Sequence, residues 1–231
     1  AGLHFLWQHR PLLALVLYIA LISVFFAAAS VLLTPYILGR TGSEMLYGML
    51  MGALQLGGVI GAVAFGVWGV RGSRMRAILL GLLACSLMLA VVGMAQHPVL
   101  LALSLFLLMM PLPMVNALLV SLLQLKVVPD MQGRVFALVD QLTTLLVPLT
   151  YLIVGPLADQ VFEPLTQGST WDGWAPLVGR GAGAGIGLMF VAASGALVLM
   201  TLVAWTVPAL RTLEARLPDY VAEKRDAVAP L

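Results

Sequence analysis

The chain contains 231 residues, of which 61% are hydrophobic and 10% are charged, and its mean hydropathy is +1.05. Because soluble domains carry roughly 25% charged residues, this composition excludes an ordinary water-soluble fold. The net charge of +2 comes from basic residues dispersed along the chain, which argues against a nucleic-acid-binding surface. Cys85 is the only cysteine, so the chain holds no pair of cysteines for a disulfide bond.

Six long apolar stretches alternate with polar connectors along the sequence. Each stretch meets or approaches the length of about 20 residues that a helix needs to cross a bilayer, and none shows the alternating polarity of a barrel strand. We therefore predict an all-α membrane protein in which residues 1–207 form one bundle and residues 208–231 form a cytoplasmic amphipathic segment and tail. The predicted transmembrane spans cover residues 11–37, 45–69, 77–94, 99–125, 135–157 and 183–207.

The positive charges fall almost entirely on one side of this six-span topology. Ten of the twelve Lys and Arg residues lie in the terminal segments and in the second and fourth connectors, whereas only Arg40 and Arg180 lie on the opposite side. Cytoplasmic connectors of membrane proteins carry an excess of basic residues. We therefore expect both termini to be cytoplasmic, and the long connector 158–182 to be a partly ordered loop on the outer side.

Three pairs of glycines have the four-residue spacing that lets two membrane helices approach closely. They are Gly48 and Gly52, Gly57 and Gly61, and Gly183 and Gly187. We predict that all three pairs pack helix against helix.

The fourth predicted span contains two prolines and two amides. Pro111 and Pro113 lie near its middle, where each removes a backbone donor, so we predict that the helix bends or opens there. Asn116 and Gln124 lie eight residues apart on one face. The amide of Asn116 beside the bend is typical of a substrate pathway, but it also fits a simple hydrogen bond between two helices, worth about 1 kcal/mol.

Asp140 is the only carboxylate well inside a predicted span. An ionised Asp at the centre of a membrane helix costs about 2.5–3.5 kcal/mol on insertion scales, so such a residue usually faces a cavity or a partner. Thr143, Thr144 and Tyr151 follow it at helical spacing and form a polar stripe with it. Asp140 is a candidate for a proton or substrate site, and it fits equally a structural counter-ion that reaches interfacial water or a neighbouring Arg.

Motifs of enzymes, channels and metal sites do not occur in this sequence. No HExxH, P-loop, GxSxG or Cys/His ligand cluster is present, so we expect no enzymatic activity, no metal site and no cofactor. A carbonyl filter sequence of the kind that lines an ion pore is also absent.

Two connectors resemble those of major facilitator superfamily transporters. Residues 66–76, with Gly66, Arg71, Arg74 and Arg76, resemble the cytoplasmic signature of that superfamily, although Val70 stands where the signature has Asp. Residues 128–136, which include Gly133 and Arg134, together with residues 155–159, look like the tenth-to-eleventh helix region of the macrolide-efflux and enterobactin-exporter branch.

This resemblance implies that the chain corresponds to the carboxy-terminal six helices of a twelve-helix exporter, built as a 3+3 inverted repeat. It implies proton-coupled efflux of a small amphipathic compound, of drug or siderophore type, by alternating access in a bacterial cytoplasmic membrane. The first and fourth spans are then expected to line the cavity, the second and fifth to face the other half, and the third and sixth to support them.

The expected partners are the lipid bilayer, a small-molecule substrate, and an N-terminal six-helix half or a second copy of the chain, with no nucleic acid. The alternative is a half-size membrane scaffold or partner subunit that transports nothing on its own.

Overall fold

The computed structural model describes residues 10–70, 72–166, 171, 173 and 175–206. The predicted tail 208–231 and Arg71 of the first connector motif lie outside the described residues. Within the described ranges the regular structure is helical, with no strand. The helices are α1 (Arg10–Thr41), α2 (Glu44–Trp68), α3 (Arg74–Met94), α4 (Pro98–Met109), α5 (Leu112–Lys126), α6 (Pro129–Leu157), α7 (Glu163–Leu165), α8 (Ala175–Val178) and α9 (Ala184–Thr206).

Six of the helical segments are long and apolar enough to cross a membrane. The predicted all-α class with six candidate transmembrane helices is therefore confirmed at this level. In chain order, the first to sixth spans are α1, α2, α3, α4 with α5, α6 with its continuation through α7, and α9. Their bounds are Leu12–Thr41, Glu44–Trp68, Arg74–Met94, Pro98–Lys126, Pro129–Leu165 and Ala184–Thr206.

The helices extend beyond several of the predicted span limits. The fifth span begins at Pro129 rather than at residue 135 and continues to Leu165 through a π-helical turn at Ala158–Phe162. Polar residues at both ends of this helix lie outside its apolar stretch. Hydropathy therefore marks the lipid-buried part of a helix, whereas its ends are set by capping residues and prolines.

The fourth span is interrupted at the two prolines, as predicted. The regular α-helix stops at Met109 and resumes at Leu112, and Pro111 occupies the cap position. Because Pro111 and Pro113 fall at the start of α5, their missing N–H groups remove no bond from the middle of a helix. The amide of Val115 donates to the carbonyl of Pro111 at 3.0 Å and restarts the helical ladder.

The helix α3 lies at the centre of the bundle and packs most extensively on α9. At their crossing an ideal Cβ atom on Gly93 lies 2.4 Å from the Gly187 carbonyl oxygen, and one on Gly187 lies 2.6 Å from the Gly93 carbonyl oxygen. Seven residues away on each helix, the Ser194 hydroxyl donates to the Ser86 carbonyl at 2.7 Å. The two backbones are therefore in direct contact, which only glycine at this crossing permits.

A second close approach joins α2 to the fourth span. An ideal Cβ atom on Gly57 lies 2.1 Å from the Phe106 carbonyl oxygen, and one on Gly61 lies 1.9 Å from that of Met110. The packing prediction is confirmed for this pair of glycines and for Gly187.

The first glycine pair of α2 behaves differently. Gly48 and Gly52 have no neighbouring atom within 4 Å of their ideal Cβ positions, so no described helix of this chain packs closely against them. Spacing alone does not say which face of a helix the rest of the bundle covers.

The six spans pack in a defined set of pairs. Within the described residues the first span packs on the fifth, the second on the fourth and the third on the sixth. Smaller interfaces join the first span to the second and the sixth, the fourth span to the fifth, and the Ala158–Leu165 end of the fifth span to the sixth. The third and fourth spans also pack extensively.

The crossing of α3 and α9 gives a direct test of this packing. We expect Gly187→Ala to lower stability by about 1–3 kcal/mol, because the added methyl group meets the backbone of α3. Gly195→Ala is the matched control on the same helix, since its ideal Cβ atom has open space around it, and we expect it to leave stability unchanged or raised. Thermal unfolding in detergent measures both; equal midpoints for the two variants contradict the close packing.

Candidate functional site

A cavity of about 290 Å³ lies between α1, α3 and α5. Its walls are apolar except for Ser23 on α1 and Asn116 on α5. The Ser23 hydroxyl donates to the carbonyl of Ile19 at 2.8 Å, so its hydrogen bond is made within its own helix. The cavity therefore presents one available polar side chain, the amide of Asn116.

The interruption at Pro111 accounts for the position of Asn116. The side chain lies five residues after Pro111, in the first turns of α5, and its neighbour Val115 is buried and lines the same cavity. Among the described residues the amide of Asn116 has no hydrogen-bond partner, and the residue is exposed. An amide that tied two helices of this chain together would be bonded, so the geometry favours the ligand-facing interpretation of Asn116.

The predicted polar stripe of the fifth span does not reach this cavity. Asp140 and Thr144 are exposed on α6, and neither lines the space around Asn116. The Thr143 hydroxyl donates back to its own helix, to the carbonyls of Val139 at 3.0 Å and Asp140 at 2.9 Å. Of the predicted stripe, Asp140 and Thr144 remain open to a partner or to water, while Thr143 is satisfied locally.

No basic side chain within the described ranges pairs with Asp140. The nearest Arg along its helix, Arg134, places Nη1 at 3.7 Å from the sulfur of Met131. An intrachain counter-ion for Asp140 is therefore not part of the described structure.

The helix that carries this exposed carboxylate is one of two that the bundle leaves largely uncovered. In the most apolar stretch of the fifth span only 11% of residues are buried, and in the second span only 22%, against 50% in the third. On α2 the uncovered face carries Gly48, Gly52 and Gln55, all exposed. The second and fifth spans are thus the two helices that the bundle covers least.

Gln132 is a structural residue that the sequence patterns did not single out. Its amide nitrogen donates to the carbonyl of Gln124 at 2.8 Å and to that of Val127 at 3.1 Å. These carbonyls belong to the end of α5 and have no partner within that helix. Gln124 therefore takes part through its backbone, and its exposed side chain makes no contact with the cavity around Asn116. In the sequence, the only indication of this capping role is that a Gln lies in the first helical turn after Pro129.

The residues of the two connector motifs lie at or near helix ends. Ideal Cβ atoms on Gly66 and Gly133 meet no neighbouring atom within 4 Å, so neither glycine is required by packing inside this chain. Arg74 and Arg76 lie in the first turn of α3, where Ser73 caps the helix by accepting from the amide of Arg76 at 3.4 Å.

A second and larger space of about 520 Å³ lies between α1, α6 and α9. Thr150 is the polar residue of its lining, and its hydroxyl donates to the carbonyl of Leu146 at 2.8 Å. This space offers no hydrogen-bonding group that would orient a ligand. The smaller cavity at Asn116 is therefore the better candidate for specific recognition.

The part of the chain that the structure describes has no set of metal ligands. No three His, Cys, Asp or Glu side chains there lie close enough together to hold a metal ion. Comparisons with protein-family models, with curated proteins and with solved structures give no match.

The cap that Gln132 forms on α5 can be tested by substitution. We expect Gln132→Leu to destabilise the end of α5 by about 1–2 kcal/mol, because two carbonyls lose their donor. Gln141→Leu is the control, since Gln141 is exposed on the same helix and has no hydrogen bond within the described residues. Hydrogen exchange of the amides from Gln124 to Val127 should accelerate only in Gln132→Leu; unchanged exchange in that variant contradicts the cap.

Proposed function

We propose that this chain forms one six-helix wall of a secondary active transporter of the major facilitator type, in a bacterial cytoplasmic membrane with both termini inside. The transporter exports a small amphipathic compound by alternating access, coupled to proton movement. The chain is not an enzyme and uses no cofactor.

The pairing of the spans is the observation that carries this proposal. If the first three spans are exchanged for the last three, the contact of the first with the fifth becomes that of the fourth with the second, and the third remains paired with the sixth. The contact of the third span with the fourth likewise becomes that of the sixth with the first. Every packed pair of spans in the described bundle except the fifth with the sixth has such a counterpart, and this near-symmetry supports a 3+3 inverted repeat of the kind found within each half of these transporters.

The cavity at Asn116 supports a substrate path. Transporter sites lie where repeats meet, beside an interrupted helix, and this cavity lies between the first and fourth spans directly after the interruption at Pro111. Its 290 Å³ is just below the roughly 300–1,000 Å³ of small-molecule pockets, as expected if a second bundle supplies the opposite wall. The apolar lining and one amide fit an amphipathic compound whose apolar part packs on the walls and whose polar group bonds to Asn116.

The uncovered faces of the second and fifth spans support a partner bundle. Asp140 is open on one of these faces, and a carboxylate left in contact with lipid is unfavourable. At a seam between two bundles it reaches water or a partner group, and this is the position at which the proposed proton coupling uses it.

The amide of Asn116 should determine substrate handling without holding the fold together. In the chain assembled with a complementary six-helix half, we expect Asn116→Leu to lower ethidium efflux to near background, because the cavity loses its only available polar group. Unfolding temperature should change little. Val120→Leu, one turn further along α5 and exposed, is the control and should transport normally. Normal efflux by Asn116→Leu contradicts the assignment of this cavity to the substrate pathway.

Asp140 should couple transport to protons. We expect Asp140→Asn to abolish the pH dependence of efflux while expression is maintained, because the amide cannot exchange a proton. Asp159→Asn, at the other end of the same span, is the control and should keep the wild-type pH profile. An unaltered pH profile in Asp140→Asn refutes the coupling role. If the chain transports no dye with any partner half, it is the non-transporting scaffold of the alternative interpretation.

A further inference from the structure

Residues 175–183 form a strap that crosses the ends of α1, α3 and α9. Arg40 at the end of α1 donates from Nη2 to the carbonyl of Val178. Gln96, just after α3, donates from its amide nitrogen to the carbonyl of Pro176 at 3.2 Å. Two long polar side chains from different helices therefore hold the backbone of this strap.

A small hydrophobic cluster joins the strap to the start of α9. Trp171, Val178 and Ala184 are buried together in a cluster separate from the main core of the bundle. The indole of Trp171 donates to the carbonyl of Gly179 at 3.1 Å. This cluster is small, so the strap contributes little apolar burial to the six-helix core and depends on its polar ties to the helices.

Three glycines link the strap to α9. Gly179, Gly181 and Gly183 have φ angles of +84°, +96° and +82°, a conformation that other residues rarely adopt. Such positions absorb large backbone rotations and serve as hinges. The segment that joins the strap to the sixth span therefore has the residue type and the position that are typical of a hinge.

Arg40 packs on Tyr36 of α1, and Tyr36 is in turn hydrogen-bonded to α3. Its guanidinium carbon lies 5.5 Å from the centre of the Tyr36 ring, and the Tyr36 hydroxyl donates to the carbonyl of Val92 at 2.6 Å. Within the described ranges no carboxylate pairs with Arg40, and its Nε is buried without an acceptor. The tie to the strap is therefore a bond to a neutral carbonyl, which is weaker than an ion pair and easier to release.

We propose that Arg40 is a latch: it locks the 175–183 strap over the ends of α1, α3 and α9, and its release lets the strap swing away about the three glycines while the six-helix bundle stays folded. This device goes beyond the proposed transport activity and does not depend on it. It predicts that the strap and the bundle open independently.

Thiol labelling at two adjacent positions tests the latch. Val178 is 1% exposed and Leu177 is 50% exposed, so in a Cys85→Ala background Val178→Cys reports opening and Leu177→Cys is its accessible control. A hydrophilic maleimide is added to the purified chain in detergent, where membrane orientation has no influence. We expect Arg40→Gln to speed labelling of Val178→Cys by roughly tenfold or more, since a charge-assisted bond is lost, and to leave Leu177→Cys unchanged.

The native Cys85 reports the bundle in a parallel measurement. It is 1% exposed at the centre of α3 and should stay unreactive in Arg40→Gln. Gln96→Leu removes the second tie and should give a smaller acceleration at Val178→Cys, which keeps the test open if Arg40→Gln folds poorly. An unchanged Val178→Cys rate in both variants overturns the proposal, as does release of Cys85 together with Val178→Cys in both, because the strap is then not a separable unit.

Discussion

The inability of hydrocarbon to form hydrogen bonds is the constraint on which this structure depends. A chain with this composition must satisfy its backbone within each segment that crosses the membrane, and its spans are accordingly helices. Large apolar side chains such as Val67 and Leu152, each 72% exposed, cover the surface at no cost when lipid is the solvent. Since apolar burial does not drive helices together in lipid, the bundle relies on close backbone contact, as between Gly93 and Gly187.

The same constraint makes the few polar side chains within the spans candidates for function. Asn116 lies on α5, whose orientation is set by the interruption at Pro111 at one end and by the Gln132 cap at the other. Asp140 lies apart from that cavity, on a face that the chain leaves uncovered. The two candidate sites are therefore separate in this bundle, and a transport mechanism that uses both needs them to be coupled through a second wall or through movement of the fifth span.

Local patterns predicted the spans and the break in the fourth helix well, because hydropathy and proline act within one segment. They did not predict which helices meet. Periodicity placed Thr143 on a stripe with Asp140 but could not show that its hydroxyl bonds to its own helix, and glycine spacing could not distinguish the packed Gly57 from the uncovered Gly48. The roles of Gln132 and Arg40 depend on contacts with backbone carbonyls, which leave no pattern in the sequence.

The most direct test of this account is whether the fifth span crosses a membrane in the predicted direction. Gly133 lies near the first end of this span and Gly173 lies beyond its other end, and both positions are exposed with open space for a side chain. In a Cys85→Ala background, an impermeant maleimide added to intact bacterial cells should label Gly173→Cys at once and Gly133→Cys only after permeabilisation. Labelling of both cysteines from the same side, or of Gly133→Cys alone in intact cells, contradicts the membrane arrangement on which the cavity, the seam and the proposed transport depend.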